Sequence, residues 1–350
     1  METRLLFAQS PQDLDEAAQV ILRGGLAAFP TETVYGLGAL ALDPLAVRGI
    51  FAAKGRPSTN PVIVHVRDEE EARTLVLHFP IEAASLAARF WPGPLTLVLP
   101  RSARVPDECT AGGDTVGVRA PSHPAARALL DRVRAPIAAP SANRSEHVSP
   151  TSAAHVLRDL NGRIDVVLDG GRCALGIEST VVALDGDVPR LLRAGAVPRT
   201  AIEELIGPLE LGARAHGPLQ SPGQHRRHYA PAAQVRIAPA ADLPAAAAEF
   251  AGHAKVGALL REAAGGEAAP SRGGEAAVSR GGGEAALSGG GGSALLLLRL
   301  PADAQGYARE LYAALRTLED AGCDAIVIED VPHTAEWDAI RDRLVRASAR

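Results

Sequence analysis

Apolar residues at Leu14, Ala17, Ala18 and Ile21 recur at three- and four-residue spacing behind Ser10-Pro11, and Gly24-Gly25 ends the run. A hydroxyl cap, a first-turn proline, a helical repeat and a glycine stop together predict a helix. Leu26 to Phe29 is continuously apolar and reads as a strand, which runs into a glycine-bounded, hydroxyl-rich turn through Gly36-Leu37-Gly38. Asp43-Pro44 opens a second helix through Ile50 and Phe51, and Val62-Ile63-Val64-His65-Val66 is a short β-branched run. Further strands are predicted at 95–99, 115–119, 136–139, 165–168, 179–184 and 190–193. Several of these follow one another with no helix between, which predicts an α/β fold with α+β character, a twisted mixed sheet with packed helices.

The texture changes after Ile206. Gly207-Pro208, Gly212, Gly217-Pro218 and Ser221-Pro222-Gly223 punctuate a stretch with little apolar periodicity, read as a linker over 208–232. It separates a first domain, 1–207, from a second, 233–350, in which strands near Val235, Val256, Leu295 and Ala325 alternate with helices from Leu243 and Ala302 and a final helix. That order predicts a small parallel α/β domain. Within it Gly-Gly-Glu-Ala-Ala recurs, and 262–293 reads as a disordered insertion, too poor in apolar surface to offset its ordering entropy.

Composition narrows the function. The chain has 350 residues, a formal charge of −5 and only 3% aromatics, which argues against a general nucleic-acid or membrane-surface binder and favours a small ligand. Its 3 cysteines are far apart and in no Cys-x-x-Cys spacing, so neither a disulfide framework nor a zinc site is expected and no metal residues are assigned. With no apolar run of signal-peptide type or membrane-spanning length, the expectation is a soluble cytoplasmic protein.

The candidate chemistry lies in loops and strand ends. Lys54 and Arg56 flank Gly55 just after a predicted helix, and a bend at Pro57 turns both cations toward one anion such as a nucleotide phosphate. No Walker-type loop is present, so side-chain cations rather than a backbone nest have to meet that charge. Arg119 and Arg193 end predicted strands before turn-formers and aim across a sheet edge. Pro140-Ser141-Ala142-Asn143 follows an apolar strand, and Ser149-Pro150 is read as the cap of the next helix, which would converge hydroxyl, amide and helix N-terminus on one loop. Glu178-Ser179-Thr180 starts a strand with an acid and two hydroxyls, suited to an amino acid's ammonium and carboxylate. His65 sits in an otherwise apolar strand. Taken singly, each feature also fits a structural role: a solvated basic turn, surface arginines, an ordinary cap, a core histidine. Ser141 lacks the Gly-x-Ser-x-Gly setting of a hydrolytic nucleophile.

With Pro30-Thr31-Glu32-Thr33-Val34-Tyr35-Gly36-Leu37, Lys54-Gly55-Arg56-Pro57, Asn60-Pro61, Phe90-Trp91-Pro92-Gly93-Pro94-Leu95-Thr96, Val118-Arg119-Ala120-Pro121, Pro140-Ser141-Ala142-Asn143, Glu178-Ser179-Thr180-Val181, Arg193-Ala194-Gly195 and His228-Tyr229-Ala230-Pro231 in order, the chain resembles the two-domain threonylcarbamoyl-AMP synthase family. That family joins a YrdC-like catalytic domain to a Rossmann-like one through a linker. The resemblance implies a nucleotidyltransferase that converts L-threonine, bicarbonate and ATP, with Mg2+, into threonylcarbamoyl-adenylate and pyrophosphate for N6-threonylcarbamoyladenosine in tRNA. It implies Thr33, His65, Arg119, Ala139 and Ser179 on the threonine side, and Lys54, Arg56, Asn60, Thr115, Ser141, Ser149, Arg193 and Tyr229 on the ATP side, with Lys54 and Arg56 as catalytic cations. The linker becomes a lid that excludes water from a labile adenylate. The implied partners are the downstream tRNA threonylcarbamoyl-transfer machinery and, through it, contact with tRNA. Two departures stand out: the linker continues Gln224-His225-Arg226-Arg227 where Met-Lys-Tyr is the family's pattern, and the second domain carries the glycine-rich insertion. The alternatives are a hydrogenase-maturation carbamoyltransferase, whose zinc-finger cysteine pairs are missing from the sequence, and an RNA-binding module, which the scarcity of aromatics opposes.

Overall fold

The computed structural model describes residues 2–212, 220–222, 230–250, 252–253, 255–262 and 294–349. They form two compact units, Met1–Ser145 with Ser149–His225, and Glu146–Val148 with Arg226–Arg350.

The first unit contains β1 (Arg4–Phe7), β2 (Ala27–Phe29), β3 (Gly36–Leu40), β4 (Ile63–His65), β5 (Leu95–Pro100), β6 (Thr115–Arg119), β7 (Ile137–Ala138), β8 (Val166–Asp169), β9 (Thr180–Ala183), β10 (Arg190–Arg193) and β11 (Glu210–Leu211). Among the described residues they pair in the order β1-β8-β2-β3-β7-β4-β6-β5-β9-β10-β11. The sheet is mixed: β4 runs parallel to β6, and β6 antiparallel to β5. This agrees with the mixed sheet expected from consecutive strands.

The first helix spans Pro11–Leu22, capped by Ser10, whose Oγ accepts from the Asp13 N–H at 3.2 Å. Asp43 caps helix Pro44–Lys54 in the same way, with Pro44 in its first turn. Two expectations are corrected. Gly36-Leu37-Gly38, read as part of a turn, is strand β3; Gly38 is needed there because a Cβ would lie 2.8 Å from the Phe29 ring and 2.9 Å from Ile137. Ser149 does not cap the following helix. That helix is Ala153–Leu160, and Ser152 caps it, accepting from the His155 N–H. Pro150 favours extended backbone at Ser149, and its carbonyl accepts from Tyr35 N–H at 2.8 Å, so the helix starts later.

Strand alternation sorts side chains onto two faces. One face is continuously apolar: Ala28, Leu37, Ala39, Val64, Leu95, Leu97, Leu99, Val116, Val118, Ala138 and Val182 join one core with Val47, Ile50, Leu86 and Val156 from the helices. The opposite face is divided. On β2, β7 and β8 its residues Phe29, Ile137, Ala139 and Val166 pack with Leu14, Ile21, Leu129 and Leu130 of helices Pro11–Leu22 and Pro124–Val133. On β4, β6 and β5 the same alternation places His65, Thr115, Arg119 and Thr96. The polar half of this face carries the candidate chemistry.

The second unit holds β12 (Gln234–Ala238), β13 (Lys255–Arg261), β14 (Ala294–Leu300) and β15 (Ala325–Glu329), all parallel, in the order β12-β15-β13-β14. This is the small parallel α/β domain expected. Most of 262–293 lies outside the described residues.

Gly195 follows the end of β10 at a close backbone approach: a Cβ there would lie 2.3 Å from Thr180 N and 2.4 Å from Ser179 C. Both neighbours are main chain and cannot rotate away. Gly195→Ala is therefore expected to cost about 2–3 kcal/mol, read as a lower urea midpoint with unchanged slope. Wild-type stability would show that the two segments are not tightly apposed.

Candidate active site

Gly55 ends helix Pro44–Lys54 in the left-handed conformation, φ 63°, which lets the chain reverse between the two cations beside it. Lys54 turns back: its Nζ donates to the Ser141 carbonyl at 2.6 Å and also to the Asn143 carbonyl. Arg56 turns forward, with Nε donating to Asn60 O at 3.1 Å and Nη2 to Pro61 O at 2.7 Å. With exposures of 3% and 7%, they are not a solvated turn. Burial, and next the nearby Arg56 charge, hold the Lys54 ammonium well below its ordinary pKa. The two cations thus grip different loops yet feel one another.

The Pro140-Ser141-Ala142-Asn143 loop is fastened on several sides. Leu37 N–H donates to Pro140 O at 2.8 Å, Ala142 N–H to Tyr35 O at 2.8 Å, and Ser145 N–H to Lys54 O at 2.9 Å. Ala139 donates its N–H to Ile63 O at 2.9 Å. Its side chain belongs to the apolar cluster beneath, so only its main chain is available to a ligand.

A second group gathers at the carboxyl ends of β4 and β6, where His65 and Arg119 are register partners. Arg119, 3% exposed, donates Nη2–H to Glu32 Oε1 at 2.7 Å, Nη1–H to Thr33 Oγ1 at 3.0 Å and Nε–H to Gly93 O at 3.2 Å. Burial would raise the Glu32 pKa, but Arg119 and the Ser122 N–H outweigh it and hold the carboxyl below its ordinary value. His65 is pushed down as well, to about 3, by burial first and the Arg119 charge second. It is a neutral imidazole against the Phe29 ring edge, centroids 6.1 Å apart. Nδ1 of His65 and Oδ1 of Asn60 are buried without a hydrogen-bond partner among the described residues. A buried polar atom left unmatched costs about 1–3 kcal/mol, and such atoms mark places suited to receive an outside group.

A third group is adjacent. Ser179 Oγ lies 2.8 Å from Thr96 Oγ1 and accepts from Arg193 Nη2 at 3.1 Å, while Arg193 Nε donates to Ser179 O at 3.0 Å. Arg193 also donates from Nη1 to Pro222 O at 3.3 Å, anchoring the start of the Ser221-Pro222-Gly223 segment. Ser149, displaced from its expected capping role, donates its hydroxyl to Glu178 Oε1 at 2.6 Å and so ties the segment after the Ser141 loop to the one that leads through Ser179 into β9.

Thr115 opens β6 on the same face as Arg119, four residues away and hence about 13 Å along the strand. Because β4 and β6 are parallel, Asn60 ahead of β4 and Thr115 at the start of β6 lie toward one end while His65 and Arg119 close the strands at the other. The predicted residues on these strands therefore lie toward two ends of one sheet face, with Gly117 and Ile63 between them; the Gly117 α-carbon faces Thr96, Ile63 and Val98. Tyr229 lies outside the described residues. Sequence reasoning did not assign Glu32, Thr96 or Asn143 to the site. Thr96 was detectable: it breaks the alternation Leu95, Leu97, Leu99 on the face away from the core.

Among the described residues no group of three or more His, Cys, Asp or Glu side chains could hold a metal ion, and no helix is long and apolar enough to cross a membrane.

Comparison with known proteins matches residues 19–195 to a family model described as "Telomere recombination" and residues 197–349 to one described as "Threonylcarbamoyl-AMP synthase, C-terminal domain". The threonylcarbamoyl-AMP synthase of Bacillus subtilis is 39% identical over 98% of this chain and 94% of its own length. That of Pyrococcus abyssi is 51% identical over 63% of this chain and 66% of the relative. The crystal structure of P. abyssi Sua5 complexed with L-threonine superposes with a TM-score of 0.85 at 38% identity, covering 99% of this chain and 98% of that one.

The neutral state of His65 has a measurable sign. Between about pH 3 and its ordinary value of 6.5, the unfolded chain holds a proton on His65 that the folded chain does not, so stability falls as pH drops through that window. The expected slope is up to about 1.4 kcal/mol per pH unit, read by urea unfolding, and His65→Gln should flatten it. Equal slopes in both proteins would mean that His65 charges freely in the fold.

Proposed function

The chain belongs to the threonylcarbamoyl-AMP synthase family, and on that premise we propose how its first unit makes the adenylate from L-threonine, bicarbonate and ATP. The observation that carries the reading is one sheet face with two chemically different ends: Arg119, Thr33, His65 and Ser179 at one, Arg56, Asn60, Thr115 and Ser141 at the other. Their separation, about 13 Å along β6, suits an amino acid laid end to end with a nucleotide. That the P. abyssi relative is complexed with L-threonine supports threonine as a substrate, and the carboxylate-matching Arg119 is the reason for giving it the first end.

Arg119 takes the threonine carboxylate, for which a planar guanidinium fork is the matching donor. His65 stays uncharged, so it adds no repulsion toward the amine, which must be unprotonated to react. The amine nitrogen attacks the carbon of bicarbonate or CO2 to give a carbamate, releasing water or a proton. A carbamate oxygen then attacks the α-phosphorus of ATP, and the bond to the pyrophosphate oxygen breaks. Negative charge builds on the leaving group. Arg56 at the nucleotide end and Arg193, which stands against Ser179 at the threonine end, are the guanidinium groups assigned to it, and Ser141, Ser149, Asn60 and Thr115 the polar contacts to the nucleotide. Lys54 spends its N–H groups on the Ser141 loop, so its share is to hold that loop and to contribute field, a preorganised form of charge stabilisation. No side chain needs to act as a nucleophile. The basic and hydroxyl character of this end suits a Mg2+ ion that arrives on the ATP phosphates as part of the substrate, rather than one in a resident carboxylate cage. The adenylate would then pass to machinery that transfers threonylcarbamoyl to a tRNA adenosine, in the cytoplasm.

Pyrophosphate release is expected to require all three reactants: little with ATP alone or ATP and threonine, and turnover when bicarbonate is added. Arg56→Ala and Lys54→Ala should each lower it about 100-fold or more, the usual cost of losing a preorganised charge-stabilising group. Near-normal release by either variant would remove the role given to that residue.

A further inference from the structure

We propose that Glu32 is the positioning residue of the amino-acid end of the site, and that it acts by fixing which N–H groups of Arg119 face the substrate. The inference rests on the reading of Arg119 as the partner of the threonine carboxylate.

The geometry around Glu32 is closed on both sides. Oε1 accepts from Arg119 Nη2 at 2.7 Å, and Oε2 accepts from the Ser122 backbone N–H at 3.1 Å. One carboxylate therefore pins both the guanidinium and the turn that follows β6. Both partners of the ion pair are buried. A glutamine has a single oxygen for these two donors, and its amide would confront one of them with another N–H.

The directions of the neighbouring hydrogen bonds follow from donor counting. Thr31 gives its one hydroxyl hydrogen to Val34 O at 2.7 Å, so across the 2.8 Å contact with Thr33 it can only accept. Thr33 therefore donates to Thr31 and accepts from Arg119 Nη1. With the Nε–H on Gly93 O, three of the five guanidinium N–H groups are taken by protein oxygens. The two left, one on each terminal nitrogen, are the donors for a carboxylate. Thr33 retains only acceptor capacity, which suits the hydrogens of an amine and not a carboxylate oxygen. Glu32 is the charged member of this set, and its pull on Nη2 decides the rotation of the fork.

The test measures steady-state pyrophosphate release with threonine and ATP varied separately, together with calorimetric threonine binding and thermal melting. Glu32→Gln is expected to raise the threonine KM at least 10-fold while the ATP KM stays within twofold. In an Arg119→Met background, where the double variant leaves no lone buried charge, the same substitution should change threonine kcat/KM by less than twofold. If Glu32→Gln fails to melt cooperatively, Glu32→Asp, which keeps the charge one methylene short, is read in the same way and should show the same split. An unchanged threonine KM would overturn the proposal, as would equal losses in both Arg119 backgrounds. Wild-type threonine affinity in Arg119→Met would instead remove the reading of Arg119, and Glu32 with it.

Discussion

A cation taken out of water survives inside a protein only where oxygens replace the solvent it has lost. Lys54, Arg56, Arg119 and Arg193 are all within 7% exposure, and the loops around them are routed to supply those oxygens. Carbonyls of Ser141, Asn143, Asn60, Pro61, Gly93, Ser179 and Pro222 turn inward, and one carboxylate, Glu32, joins them. The same contacts that make burial tolerable hold each cation still. A positive charge that does not reorganise is what a reaction building charge on departing pyrophosphate requires, so folding and catalysis draw on one set of hydrogen bonds.

The sheet decides where this can happen. Helices Pro11–Leu22 and Pro124–Val133 cover one half of its second face and bury Phe29, Ile137 and Ala139. Along β4, β6 and β5 the alternation brings to that face His65, Thr115, Arg119 and Thr96, with Ile63, Gly117 and Val98 among them. Strand direction then sorts the chemistry: parallel β4 and β6 carry His65 and Arg119 to one end and leave Asn60 and Thr115 at the other. Two downward pKa shifts accompany this division. Next to Arg119, Glu32 is kept ionised by that positive charge against the effect of burial, and His65 is kept neutral by burial with the same charge added.

Much of the architecture was legible along the chain because its signals are local. Caps at Ser10 and Asp43, the β-branched run before His65 and the alternation in 115–119 identify their elements without reference to distant residues. Where the reading failed, a distant residue had intervened. Gly36-Leu37-Gly38 resembles a turn until Phe29 and Ile137 fill the space a side chain would need. Ser149 has a cap's sequence context, but Pro150 is held by Tyr35, the helix waits for Ser152, and the freed hydroxyl finds Glu178.

The candidate site shows the same boundary. Residue types in order, Lys54-Gly55-Arg56, Arg119 and Arg193 among hydroxyl-rich turns, determined by themselves that this chain carries cations and hydroxyls fit for an anionic, hydroxylated ligand, because charge and hydrogen-bonding capacity belong to the residues. Tertiary structure alone decided that Lys54 and Arg56 hold different loops, that Glu32 and not a second arginine stands beside Arg119, and that two groups of polar side chains lie toward opposite ends of β6. Those outcomes depend on which backbone carbonyls reach which cation, and that is set by strand register across residues far apart in sequence, where no local pattern carries the information.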